Sequence, residues 1–140
     1  MTDVHSKKVR SFNMSMIKGK NTKPEMIVRK FLFAHGFRFR INDNKLLGKP
    51  DIVLPKYKTA IFVNGCFWHG HTNCKYSKIP RTRKEWWKNK IEATRKRDFK
   101  NYEALVINNW DVKIIWECEL KTNNKQLTLD NLLLNLLSKN

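Results

Sequence analysis

Three cysteines and two histidines are the residues most able to do chemistry. Cys66, His69, His71 and Cys74 share one short run, NGCFWHGHTNC at 64–74, and Cys118 lies far downstream. Thiolate and imidazole are the donors that tetrahedral zinc takes, and three Cys with one His form a closed structural site. The run is rich in Gly, Asn and Thr and has little apolar material for a core of its own, so a metal would give it shape. Spacing alone leaves open whether His69 or His71 is the fourth ligand. It also leaves open ordinary buried thiols beside solvated histidines.

Asp51 follows Gly48-Lys49-Pro50 and precedes a strand. Cutting a phosphodiester calls for carboxylates that hold magnesium against the scissile phosphate, where the metal neutralises developing charge and activates water. Asp51 is the candidate metal-binding acid, with Glu25 at a helix start and His69 as a proton carrier. The plainer reading makes Asp51 a turn residue and Glu25 half of a helix cap. Val63, where many nucleases place a second acid, is apolar. Phe67 and Trp68 stand in the same polar loop as the ligands. Rings inserted between base steps unstack and kink a duplex, and a mismatched step resists this least.

The elements that must position these groups can be read from pattern. Thr22 and Glu25 form a capping box around Pro24, Ile27, Val28, Phe31 and Leu32 follow at helical spacing, and Gly36 ends the helix. FRFRI at 37–41 alternates as a strand with one cationic face. Residues 51–54 and 59–63 read as two more strands, the second apolar enough to be central and covered on both faces. Residues 66–81 form a ligand-rich loop. Thr82 and Glu85 repeat the capping box and open a long basic helix carrying Trp86, Trp87, Ile91, Phe99, Tyr102, Leu105 and Val106. Asn108-Asn109 breaks that helix, 112–116 is a strand, and a leucine-rich helix runs from about 127 to 137. Phe31, Phe39, Trp110 and Trp116 are assigned to the core. The order implies a mixed α/β fold, helices packed on a mixed sheet, in one domain over 1–140 with a basic N-terminal arm over about 1–20.

The chain carries a formal charge of +17 and a pI near 10.1. Such a surplus repels itself in the folded state, so an anionic partner is expected, nucleic acid before others. A solvated basic surface on a structural protein is the alternative. No apolar run approaches a bilayer span, and the first residues lack the apolar centre of a signal peptide, so an intracellular protein is expected. Three cysteines there are expected to be metal-bound or free rather than paired.

At these residues a resemblance becomes specific. PD and, after twelve intervening residues, NGCFWHGH, together with DVHSKKVRSFNM, NTKPE, TRKEWWKNKI and IIWECEL in order, resembles the very-short-patch mismatch repair endonucleases, the Vsr family, from residue 3 to about 121. The resemblance implies a restriction-endonuclease-like three-layer fold and a magnesium-dependent nick 5′ to the T of a T·G mismatch in double-stranded DNA. It makes Asp51 the magnesium ligand, His69 the base or proton carrier, Glu25 its support, and Cys66, His71, Cys74 and Cys118 the structural zinc ligands. Met14, Phe67, Trp68 and Trp87 would intercalate. Two positions depart from the family pattern. Val63, often Thr, could reach magnesium only through its backbone carbonyl, and Asn64, often a second His, cannot transfer a proton. The implied partners are mismatch-repair proteins, a repair polymerase and a cytosine-5 methyltransferase. The implied setting is the bacterial cytoplasm near the nucleoid, with the protein a monomer and no membrane role. A restriction-type nuclease on intact duplex and a non-catalytic zinc module that binds DNA are the alternatives.

Overall fold

The structure is a computed structural model that describes residues 22–121 and 123–139. The basic arm over about 1–20, and Met14 within it, lie outside the described residues. Helix α1 (Lys23–Ala34) opens at Thr22, whose Oγ1 accepts the Glu25 N–H at 3.4 Å, with Pro24 in its first turn. Gly36, at φ +81°, turns the chain out so that the Phe37 N–H reaches the Leu32 carbonyl at 3.0 Å. That backbone conformation suits glycine and closes the helix. Only half of the expected capping box forms. Glu25 turns its carboxylate inward, 3.0 Å from Nη2 of Arg29, and is 1% exposed.

Four strands follow in sheet order β1 (Arg40–Ile41), β2 (Ile52–Leu54), β3 (Thr59–Asn64) and β4 (Asp111–Trp116). The pairs β1–β2 and β2–β3 are antiparallel, and β3–β4 is parallel. The strand expected over 37–41 shrinks to its last two residues, because β2 offers only a three-residue partner. Phe37 is still buried, and its ring meets Tyr57 at 5.4 Å. Asp51 stands just before β2 rather than inside it.

Period-two alternation along β3 builds three layers. Ile61 and Val63 point to a core with Val28 and Leu32 of α1 and with Leu129, Leu132 and Leu136 of the C-terminal helix α3 (Lys125–Leu137). Ala60 and Phe62 point the other way, to Leu105 and Tyr102 of helix α2 (Lys84–Ile107). All six residues of β3 are buried, as its apolar run requires. Fully burying each Leu or Ile here contributes about 1.5–3 kcal/mol. The sheet is therefore mixed, with helices on both faces, as expected. Among the described residues, no helix is long and apolar enough to cross a membrane.

Helix α2 departs from its pattern in two ways. Its N-cap is Arg83, in the left-handed region at φ +57°, with no side-chain cap bond, so the Thr82–Glu85 box does not form. The Arg83 guanidinium instead lies 4.5 Å from the centre of the Trp86 ring. Phe99 and Val106 face solvent rather than the sheet, since the helix docks through Ile91 and Leu105. Trp116 likewise leaves the core and is half-buried against the ligand loop.

Candidate active site and metal cluster

Where β3 runs on past the start of β2, the ladder leaves strand edge unpaired, and Asp51 fills it. Its Oδ2 accepts the Val63 N–H at 2.7 Å, across the end of the antiparallel register that stops at Ile52 and Ile61. Asp51 is 9% exposed. Burial pushes its carboxyl up from 3.8 to about 7; the Val63 N–H pulls it down, the nearby Glu25 carboxylate pushes it further up, and His69 pulls it down. An acid in this position carries its charge readily only when a cation joins it.

The cleft around Asp51 has a volume of about 610 Å³ and is walled by Glu25, Asp51, Val63, Phe67, Trp68 and His69, with Asp98 and Lys49 also on its surface. Nδ1 of His69 lies 2.6 Å from Oδ2 of Asp98, on α2. With Nδ1 committed to that carboxylate, Nε2 is the nitrogen left to accept or deliver a proton. The sequence reading missed Asp98. Its one signal was that it is the lone acid in the basic run RKRDFK at 95–100. Asn64 is buried and gives its Nδ2 hydrogen to the Tyr102 hydroxyl at 2.9 Å. Burial holds that phenol up at about 12, so it stays neutral.

Gly70 lets the loop come this close to α2. A Cβ built there, at φ +62°, would stand 2.6 Å from Cγ2 of Ile91 and 2.8 Å from Cδ of Arg95. Ile91 is a buried anchor of the helix, so the loop would have to retreat. Gly70 separates His69 from His71, and the two imidazoles take different sides.

His71 turns away from the cleft toward the cysteines. One ligand atom each from Cys66, His71, Cys74 and Cys118 lies within 4.8 Å of all the others, a cluster that can hold a metal ion. Nδ1 of His71 is 3.4 Å from Sγ of Cys118, and the Cys118 N–H reaches Sγ of Cys66 at 3.4 Å. The His71 ring stacks on Trp116 at 4.1 Å and 4°. Ser77, also missed from sequence, gives the loop its turn, its Oγ within 2.7 Å of the His71 carbonyl and 2.8 Å of the Cys74 carbonyl. Burial pushes the Cys66 thiol up to about 12, against the pull of the Cys118 N–H. A thiolate there needs a cation beside it.

Phe67, Trp68 and Trp87 pack into one aromatic group, with ring centres 5.1 Å apart for Phe67–Trp68, 5.2 Å for Phe67–Trp87 and 5.9 Å for Trp68–Trp87. Trp68 is 40% exposed and forms the open face; Phe67 and Trp87 are half-buried behind it. Trp86 joins the group edge-on to Trp87 at 4.8 Å and is 44% exposed. The structure thus gathers Asp51, Glu25, His69 and the aromatic group at one cleft and the three cysteines with His71 beside it.

Known proteins resemble this chain over most of its length. The family described as DNA mismatch endonuclease Vsr matches residues 2–75, more than half of the chain. The Type II nicking enzyme V.NmeAIP of Neisseria meningitidis serogroup A / serotype 4A is 48% identical over 132 residues, which cover 94% of this chain and 92% of the relative. The Type II nicking enzyme V.XorIIP of Xanthomonas oryzae pv. oryzae is 44% identical, covering 86% of this chain and 88% of the relative. The DNA mismatch endonuclease Vsr of Escherichia coli K12 is 41% identical, covering 89% of this chain and 80% of the relative. With the family matched over half the chain and relatives aligned over most of it, the protein belongs to the Vsr family and is a DNA endonuclease of the mismatch-directed or nicking type.

Proposed function

We propose that the chain nicks duplex DNA 5′ to the T of a T·G mismatch, using magnesium in the cleft and zinc in the cysteine cluster. The observation that carries this reading is the cleft itself, in which Asp51 and the His69–Asp98 pair share walls with the exposed ring of Trp68. A wedge that unstacks the base step beside the scissile phosphate loses least at a mismatch, which links cutting to mispairing.

Asp51 would hold magnesium through the carboxylate oxygen that the Val63 N–H leaves free. A strand residue presents its N–H and C=O on the same edge, so the Val63 carbonyl shares the edge that Asp51 occupies and would be a second ligand. Bound there, the metal would supply charge neutralisation at the phosphate and a more acidic water. His69, oriented by Asp98, takes the proton of the attacking water at Nε2. Glu25, close to Asp51 and anchored by Arg29, deepens the negative potential that draws the cation. Asn64 hydrogen-bonds Tyr102 and takes no part in proton transfer.

For the cluster, Cys66, His71, Cys74 and Cys118 would hold the zinc, their three thiols and one imidazole being a donor set that tetrahedral zinc takes. The buried Cys66 thiol, neutral on its own, is supplied with the cation that its thiolate form requires.

The test uses duplexes carrying T·G or T·A at a site of cytosine methylation, each strand labelled in turn, with magnesium added. A single nick 5′ to the mismatched T, much faster than on T·A, is expected. Equal cutting of both duplexes overturns the mismatch assignment, and loss of DNA cutting under all contexts favours a binding module. The linked cytosine-5 methyltransferase sets the sequence context in this reading, and repair proteins and a polymerase act on the nick.

A further inference from the structure

A second groove, of about 340 Å³, opens between the start of α1 and the start of α3 and shares Pro24 and Glu117 with the wall of the catalytic cleft. Lys23, Lys121 and Lys125 line it. Lys23 and Lys125 are each the first residue of a helix. A cation there meets the positive end of the helix dipole, so both lysines sit where local energetics disfavour them. Neither these two nor Lys121 has a carboxylate in ion-pair range among the described residues, and Glu117 on the shared wall pairs with none of them. The row continues toward the metal cluster. Nζ of Lys121 lies 5.0 Å and Nζ of Lys75 5.1 Å from the centre of the same Tyr76 ring. Lysines with no carboxylate partner among the described residues, two of them at helix starts and all beside a DNA-cutting cleft, are positioned for an anion that neutralises them together.

We propose that this groove is a second DNA contact, which holds the phosphodiester backbone of duplex DNA where it leaves the cleft. The assignment rests on the chain acting on duplex DNA; it does not depend on which base pair is cut. Continuity with the cleft brings a strand held at Asp51 across Pro24 and Glu117 to the lysines. The complementary charge makes the phosphate backbone, rather than base edges, the part that is bound, so the contact adds affinity without sequence preference.

Each phosphate contact contributes about 0.9 to the slope of log affinity against log salt on B-form DNA. The slope is measured by fluorescence anisotropy on the full chain, without added magnesium, on matched and on T·G duplex. For K23Q/K125Q, a slope shallower by about 2 on both duplexes is expected, and for K121Q by about 1. The control is K56Q/K58Q, which removes the same charge from the turn between β2 and β3, at the opposite end of β3 from Asn64; its slope stays at the wild-type value. Glutamine at a helix start relieves a dipole clash, so K23Q/K125Q folds at least as well as wild type, and K23R/K125R restores the slope. An unchanged slope for K23Q/K125Q, or an equal loss for K56Q/K58Q, overturns the proposal. Since binding is read on both duplexes without cutting, failure of T·G selectivity leaves this outcome separate and readable.

Discussion

Nδ1 of His69, in the ligand loop, and Oδ2 of Asp98, in the middle of α2, lie 2.6 Å apart and join two segments that the sequence separates by 29 residues. The carboxylate fixes both the orientation of the ring and the nitrogen that bears the proton. Asp98→Asn keeps the volume but offers an amide in place of the acceptor, so the ring loses its tautomer preference. A fall in the nicking rate of roughly 10²–10⁴-fold is expected, with DNA affinity little changed, as for other His–Asp pairs. Single-turnover rates with excess enzyme, beside anisotropy titrations, separate the two. A rate within a few-fold of wild type would show that Asp98 does not set the orientation or tautomer of His69 for the reaction.

The cysteine cluster ties the loop to the end of β4 through Cys118, so a metal held there would act on stability. Cys118→Ser removes one ligand and leaves Cys66 buried without its full set. Loss of bound zinc and of at least about 3 kcal/mol is expected, roughly 10 °C in melting temperature for a chain of this size. Atomic emission on the purified wild-type protein should give one zinc per chain. A folded wild-type preparation with far less zinc than protein would refute a structural site.

Gly70 tests the fit between this loop and α2. Gly70→Ala places a methyl 2.6 Å from Cγ2 of Ile91 in a backbone conformation that L side chains rarely adopt. Overpacking and left-handed strain together cost about 2–4 kcal/mol. Retreat of the loop also lengthens the His69–Asp98 contact, so the nicking rate falls further than the stability loss alone explains. Thermal melts and nicking rates on the same preparation measure both. Wild-type stability in G70A would show that the loop has room to spare.

Much of this arrangement was legible in the sequence, and the residues that were not have a common reason. Helix α1 was marked by Thr22 and its apolar spacing, and β3 by an unbroken apolar run, because local preference and burial agree there. The cysteines were legible by residue type, but spacing could not choose between His69 and His71. Their division depends on Gly70 and on which neighbour, Asp98 or Trp116, each ring meets. Asp98 reads as one more exposed charge in a basic helix until the fold brings His69 to it. Thr82 and Glu85 fit a capping box as well as Thr22 and Glu25 do, yet the Arg83–Trp86 contact sets the start of α2 instead. Trp116 ends an apolar strand and was assigned to the core, whereas its ring is the platform for His71.

Asp51 makes the metal-free protein sensitive to pH. Its carboxyl rises from 3.8 to about 7 on folding. The folded state therefore holds this proton more tightly than the unfolded state, and the associated stability is full below about 4 and lost as pH rises through about 7. In Asp51→Asn the dependence disappears. The difference in unfolding free energy between wild type and D51N should shift by a few kcal/mol between pH 4 and pH 8, at about 1.4 kcal/mol per pH unit at most. Denaturant titrations without magnesium give this difference, with other titrating groups cancelling between the two proteins. Added magnesium should flatten the curve by holding Asp51 ionised, and its apparent affinity should weaken about tenfold per unit below pH 7. A pH-independent difference would mean that Asp51 is ionised without a cation.

If the chain prefers T·G duplex as proposed, the aromatic group predicts how that preference divides between its members. Trp68 presents the exposed ring, whereas Trp87 stands behind it and contacts both Phe67 and Trp68. Stacking an aromatic ring on a base contributes about 1–3 kcal/mol, which corresponds to roughly 5–150-fold in binding. Trp68→Ala should weaken binding to T·G duplex by a factor in that range while leaving the melting temperature near wild type, because an exposed ring adds little to the fold. Trp87→Ala removes the support instead. It should lower stability by about 2–4 kcal/mol as a partly buried large-to-small change and weaken T·G binding less than Trp68→Ala does. Matched duplex offers a fully stacked step that resists insertion, so neither variant should change its affinity by more than a few-fold. Melting curves and anisotropy on both duplexes distinguish a wedge from a patch of core: an unstable W68A with unaltered T·G preference would assign Trp68 to packing alone.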